Sequence, residues 1–71
     1  MNALDKTQAS SALAAYAAAQ VAGGFVIVWF DDESTYADFR ADGAVVVEHI
    51  HAADSFKTYK DVAAFSADYG L

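Results

Sequence analysis

The stretch Phe25-Val26-Ile27-Val28-Trp29-Phe30-Asp31-Asp32-Glu33-Ser34-Thr35-Tyr36-Ala37-Asp38-Phe39-Arg40-Ala41-Asp42-Gly43-Ala44-Val45-Val46-Val47-Glu48-His49-Ile50-His51 decides the fold. Three runs rich in β-branched and aromatic residues are separated by an acidic turn, 31–34, and by Ala41-Asp42-Gly43, whose glycine suits a short hairpin loop. The pattern predicts a three-stranded antiparallel meander over Phe25–Phe30, Thr35–Arg40 and Ala44–His51. The first run is apolar throughout, as a central, doubly covered strand would be. In the second, Thr35, Ala37 and Phe39 share one face and Tyr36, Asp38 and Arg40 the other, a period of two with one wet side. In the third, Val45, Val47, His49 and His51 alternate with Ala44, Val46, Glu48 and Ile50. Both sets mix apolar with polar residues; Val46 and Ile50 are taken to point inward, with Glu48 near an edge.

Working outward, Asp5–Val21 is Ala-rich, lacks Gly and Pro, and is helical on propensity. Asn2 is the expected N-cap and Asp5 complements the dipole from the first turn. Leu4, Gln8, Ala12, Ala15 and Ala19 fall along one side, with Leu13, Tyr16 and Gln20 on the next stripe. Gly23-Gly24 stops the helix. After the strands, a second helix is expected from about Ser55 to Tyr69, capped by Asp54 or Ser55 and ended by Gly70. Its apolar stripe is Phe56, Tyr59, Val62, Ala63, Phe65 and Tyr69. The fold class is therefore α+β over residues 1–71 as one domain: a three-stranded antiparallel sheet with an N-terminal and a C-terminal helix, αβββα.

Composition narrows the function classes. The chain has 71 residues, 56% of them apolar, so it forms a core but a small one, burying only ~60% of its unfolded surface. It has no Cys, which excludes disulfides and thiolate metal sites and fits a reducing, cytoplasmic setting. Ten carboxylates face four Lys and Arg, for a net charge of −6. That charge disfavours direct binding to nucleic acid and to anionic membranes, and favours a basic partner surface; solubility alone is the other explanation. The uncharged run Ala9–Phe30 is long enough to span a bilayer, but Ser10, Ser11, Gln20 and Gly23-Gly24 interrupt it and no basic cluster flanks it.

Few residues suggest chemistry. His49-x-His51 would place two imidazoles on one strand face, with Asp38 or Asp54 as a third metal ligand, yet two surface histidines explain the pattern as well. No nucleophile elbow and no phosphate-cradling glycine loop is present, and the carboxylates of the 31–34 turn have no apolar wall to tune them. The expectation is a non-enzyme without cofactor or metal. The acids Asp31, Asp32, Glu33, Asp38 and Asp42 form the stronger candidate. The two turns lie at opposite ends of the middle strand with Asp38 between them, so together they could fill a Lys/Arg-lined groove; the alternative is solvated hairpin loops.

Phe30-Asp31-Asp32, a strand pair, and then Asp54-Ser55-Phe56-Lys57-x-Tyr59-x-Asp61 resemble the small acidic anti-CRISPR proteins of phages, type I-F inhibitors described as DNA mimics in particular. The resemblance spans roughly Gly24–Asp61. It implies a phage protein, in the host cytoplasm, that binds the CRISPR surveillance complex (Cascade) and blocks access of target DNA through acidic side chains. Asp31, Asp32, Asp54 and Asp61 are the matching acids. The chain ends Ser66-Ala67-Asp68-Tyr69-Gly70-Leu71 rather than in a strongly acidic tail, which leaves aromatic anchors such as Trp29, Tyr36 and Tyr69 as another mode of contact. The competing reading is a structural module that pairs an exposed strand edge with a second copy and carries its acids for solubility.

Overall fold

The computed structural model describes residues 4–24, 26–31 and 33–71, without the side chains of 53–55. In chain order it contains α1 (Lys6–Val21), β1 (Val26–Phe30), β2 (Thr35–Phe39), β3 (Val45–His49), β4 (Ala52–Tyr59) and α2 (Val62–Asp68). The strands form one antiparallel sheet in the order β1-β2-β3-β4. The class α+β, with a helix at each end, is as expected. The sheet has four strands rather than three.

The extra strand comes from the segment taken as the first half of a helix. Phe56, Thr58 and Tyr59 are β-formers, and β3 offers them an open edge: Val45, Val46 and Val47 pair with Tyr59, Thr58 and Lys57. Tertiary pairing thus overrides the helical stripe. Asp54 lies inside β4, so neither it nor Ser55 opens a helix. The cap is Asp61, whose carboxylate accepts the Ala64 amide at 2.8 Å, and α2 is only seven residues long. The β3–β4 ladder shifts register between Val47 and His49; because Val47 pairs with Lys57 and His49 with Ala52, residues 53–56 lie opposite Glu48 alone. A bulge of this kind re-aims the strand that carries it.

At the N-terminal end, Asp5 is the N-cap rather than a first-turn residue. Its carboxylate accepts the Gln8 amide at 2.7 Å while the Gln8 side chain accepts the Asp5 amide at 3.1 Å, a reciprocal capping box. The expected cap, Asn2, lies outside the described residues. α1 ends as anticipated: Gly23 adopts φ +82°, its amide reaches the Gln20 carbonyl, and the Gly24 amide reaches Ala19. That double closure needs a left-handed residue after the C-cap.

Both helices cover the same side of the sheet. Thr35, Ala37 and Phe39 of β2 and Val45 and Val47 of β3 are buried there with Tyr59, under Ala9 and Ala12 of α1 and Phe65 of α2. The small alanines let α1 approach closely, and Phe39 fills the gap, stacked on Tyr16 (centroids 4.9 Å) and edge-on to Phe65 (5.5 Å). The alternation read in β2 holds. Three other expectations do not. β1 is an edge strand, because in the sequential order of the sheet it pairs with β2 alone among the described residues; its Val26, Val28 and Phe30 pack on the core while Ile27 and Trp29 are about half exposed. The inward residues of β3 are Val45 and Val47, fixed by pairing with Phe39 and Ala37; Val46 lies on the opposite face and Ile50 is exposed in the following turn. His51 also lies in that turn, so β3 ends at His49 and the two histidines do not share a strand.

Candidate functional site

The face of the sheet turned away from the helices has no covering element among the described residues. Strand register builds it in two cross-strand rows. The first runs Ile27, Asp38, Val46, Thr58; the second runs Trp29, Tyr36, Glu48, with Phe56 of the bulged β4 on the same side. Phe56 is 54% exposed and Trp29 48%. With half-exposed Ile27 they give this face an apolar character between its charged groups.

Within this face, the rows interlock. Trp29 and Tyr36 rings lie 5.1 Å apart, and the Tyr36 hydroxyl donates to Glu48 Oε1 at 2.8 Å. That bond, with burial and the negative charges of Glu48 and Asp38 behind it, raises the Tyr36 phenol above its ordinary 10.0, so it stays a neutral donor. Glu48 is therefore held in place with its second oxygen available. Asp38 sits between Ile27 on β1 and Val46 on β3, a carboxylate on a largely apolar floor. A depression of about 400 Å³ opens here, lined by Tyr36, Asp38, Arg40, Asp42, Val46, Phe56 and Thr58.

The sequence-selected residues divide between this face and the rest of the molecule. Tyr36, Asp38 and Asp42 come together around the depression; Asp42 also accepts the Ala44 amide at 3.0 Å and so shapes the β2–β3 turn. Asp31 accepts from the Gln8 side chain at 3.2 Å, which ties it to the start of α1 on the helical side. Asp31 and Glu33 both take positive φ, 54° and 67°, in the turn closed by Ser34. Asp32 and the Asp54 side chain lie outside the described residues. Asp61 is engaged as the α2 cap. Tyr69, considered as an interface anchor, is buried in the core beside Phe65.

Glu48, Phe56, Ile27 and Val46 are absent from the partner-binding candidates read from sequence, which are acids together with the aromatic anchors Trp29, Tyr36 and Tyr69. The alternation in β2 was the signal for Glu48: once Tyr36 and Asp38 face out, antiparallel pairing carries their partners out with them. Phe56 could not be found that way, since it was assigned to a helix.

Asp68 and the two histidines are engaged within the fold. Asp68 Oδ2 accepts from both the Tyr59 hydroxyl (2.6 Å) and Lys57 Nζ (3.0 Å), joining β4 to α2, and these two bonds lower its carboxyl below the usual range. His49 and His51 stand edge to face at 5.8 Å, and the His51 amide donates to His49 Nδ1. No group of three His, Cys, Asp or Glu suited to a metal ion occurs among the described residues. Nor is any described helix long and apolar enough to cross a membrane. No family model, curated protein or solved structure matches the chain.

Proposed function

We propose that this chain acts by binding: it docks its uncovered sheet face on a basic, nucleic-acid-handling surface of a partner complex and blocks that surface, without chemistry of its own and without a cofactor. The observation that carries this reading is the aromatic face of Trp29, Tyr36 and Phe56 set around the carboxylates of Asp38 and Glu48, in a chain of net charge −6. Aromatics supply buried area at low entropic cost, and carboxylates supply sign selectivity and a fast, salt-sensitive encounter. The resemblance to phage anti-CRISPR proteins makes a CRISPR effector complex in the host cytoplasm the first partner to test. Mimicry of DNA is then one mode of blocking; the aromatic contacts are another.

The test is target-DNA binding by a purified type I-F surveillance complex with this chain added. Inhibition that weakens with salt, and that is lost in the Asp38→Lys/Glu48→Lys pair, supports the reading. Unimpaired DNA binding at saturating wild-type chain removes that complex as the partner. A second reading rests on β1, an apolar edge strand that carries no charge and whose outer edge pairs with no other strand among the described residues. Such an edge can pair with its copy in a homodimer. Light scattering separates the two readings, because only the dimer has a mass that rises with concentration.

A further inference from the structure

We infer that the open face selects arginine rather than positive charge in general, and that its occupant is an arginine-bearing segment of the partner laid across β2 and β3. The inference rests on the binding role proposed above and adds the chemistry of the partner to it.

Three features of the face favour a flat cation. Asp38 stands between Ile27 and Val46, so a cation that meets it must also lie on apolar surface. A guanidinium does both: it is planar, weakly hydrated, and forks onto a carboxylate through two N–H groups. An ammonium is more strongly hydrated and meets the carboxylate as a point charge without the fork, so it gains less from the same apolar site. Next, Tyr36 and Phe56 line the same depression as Asp38, and Trp29 stands 5.1 Å from Tyr36. Guanidinium groups stack on such rings more often than ammonium groups do. Last, Glu48 is fixed through its bond from Tyr36, which offers a pre-positioned second acceptor in the neighbouring row.

Charge sign also disfavours a second copy as the occupant of this face, which sets Asp38, Asp42 and Glu48 against Arg40 alone among the described residues. Two copies face to face would bring Asp38 and Glu48 against their own equivalents, which repels. Arg40 lies on the rim of the depression. It opposes a cation there, and its removal should therefore tighten binding rather than weaken it.

Trp29 is the only tryptophan in the chain and stands on this face 5.1 Å from the Tyr36 ring that lines the depression, so its fluorescence reports occupancy through that contact. The experiment titrates the chain with a short peptide of alternating Arg and Ser, and with a twin that has Lys for every Arg, in low salt. The inference expects the Arg peptide to bind about fivefold or more tightly than the Lys twin. Asp38→Asn and Glu48→Gln should each weaken the Arg peptide and shrink the gap, and Arg40→Ser should strengthen both peptides. Glu33→Gln, in the 31–34 turn, should change neither. Far-ultraviolet circular dichroism verifies that each variant is folded. Equal affinity for the two peptides, with loss of both in Asp38→Asn, overturns arginine selectivity and leaves the acidic binding face standing. If neither peptide moves Trp29 emission, both the selectivity and the binding role proposed for this face are wrong.

Discussion

Thr35 gives the most demanding test of the packing. It opens β2, pairs with Phe30 on one side and His49 on the other, and is fully buried. Its Oγ1 has no hydrogen-bond partner among the described residues. A hydroxyl taken out of water and left unpaired costs about 1–3 kcal/mol. Thr35→Val replaces it with a methyl of similar shape, keeps the β-branch that suits a strand, and adds about 0.8 kcal/mol of apolar burial. Some of this is lost to imperfect repacking, so the expected stabilisation is about 1–3 kcal/mol. For a domain of this size that raises Tm by about 4–8 °C per kcal/mol. The assay is urea unfolding followed by Trp29 emission, in which the midpoint should rise with the slope unchanged. Thr35→Ser is the control: it keeps the hydroxyl, drops the methyl, and should destabilise by about 1 kcal/mol. A Thr35→Val protein that is less stable than wild type would mean that the hydroxyl is hydrogen-bonded in solution, and the reasoning would fail.

Other outcomes follow from single residues. Asp68 has a folded pKa below its ordinary value because Tyr59 and Lys57 donate to it, so its contribution is complete above about pH 4 and disappears as pH falls through the lower folded value; Asp68→Asn should flatten this acid limb in melts recorded against pH. Tyr59 is shifted the opposite way, raised by burial and by its bond to Asp68. Its contribution is present below about pH 10 and lost above it, so phenolate absorbance should develop with alkaline unfolding, and Tyr59→Phe should remove part of that transition. Gly23→Ala meets no atom within 4 Å of the added carbon, yet the position needs φ +82°; the cost should be the left-handed strain alone, about 1–2 kcal/mol in a denaturant melt.

The parts of the fold that could be read from sequence are those in which one local signal acts alone. The Ala run and Gly23 define α1 because no competing pattern exists there, and strict alternation in Thr35–Phe39 fixes both faces of β2. The error at 52–59 arose where two local signals coincide. Asp54-Ser55 imitates a cap, and Phe56, Tyr59, Val62 and Phe65 keep helical spacing across what is in fact a strand, a turn and a short helix. Only the pairing of β4 with β3 decides between them, and that contact is not local. The edge position of β1 does not depend on β4: in a sequential meander of three strands or of four the first strand pairs on one side, and its apolar residues on both faces imitate a central strand.

The candidate site was legible to the same degree. Tyr36, Asp38 and Asp42 were identified from alternation and turn chemistry, and they meet around one depression. Asp31 was grouped with them by sequence distance, but the turn directs it to Gln8 instead. Glu48 and Phe56 join the face only through register and through the bulge opposite Glu48, neither of which is encoded within one strand.

The central claim, that a basic partner lies on the uncovered sheet face, is tested most directly by mapping amide shifts in solution as the Arg–Ser peptide is added. The account predicts that the largest changes fall on Ile27, Trp29, Tyr36, Asp38, Val46 and Glu48, with α1 and α2 unmoved. Shifts centred on the 31–34 turn or on the helices, with the sheet face silent, would contradict it.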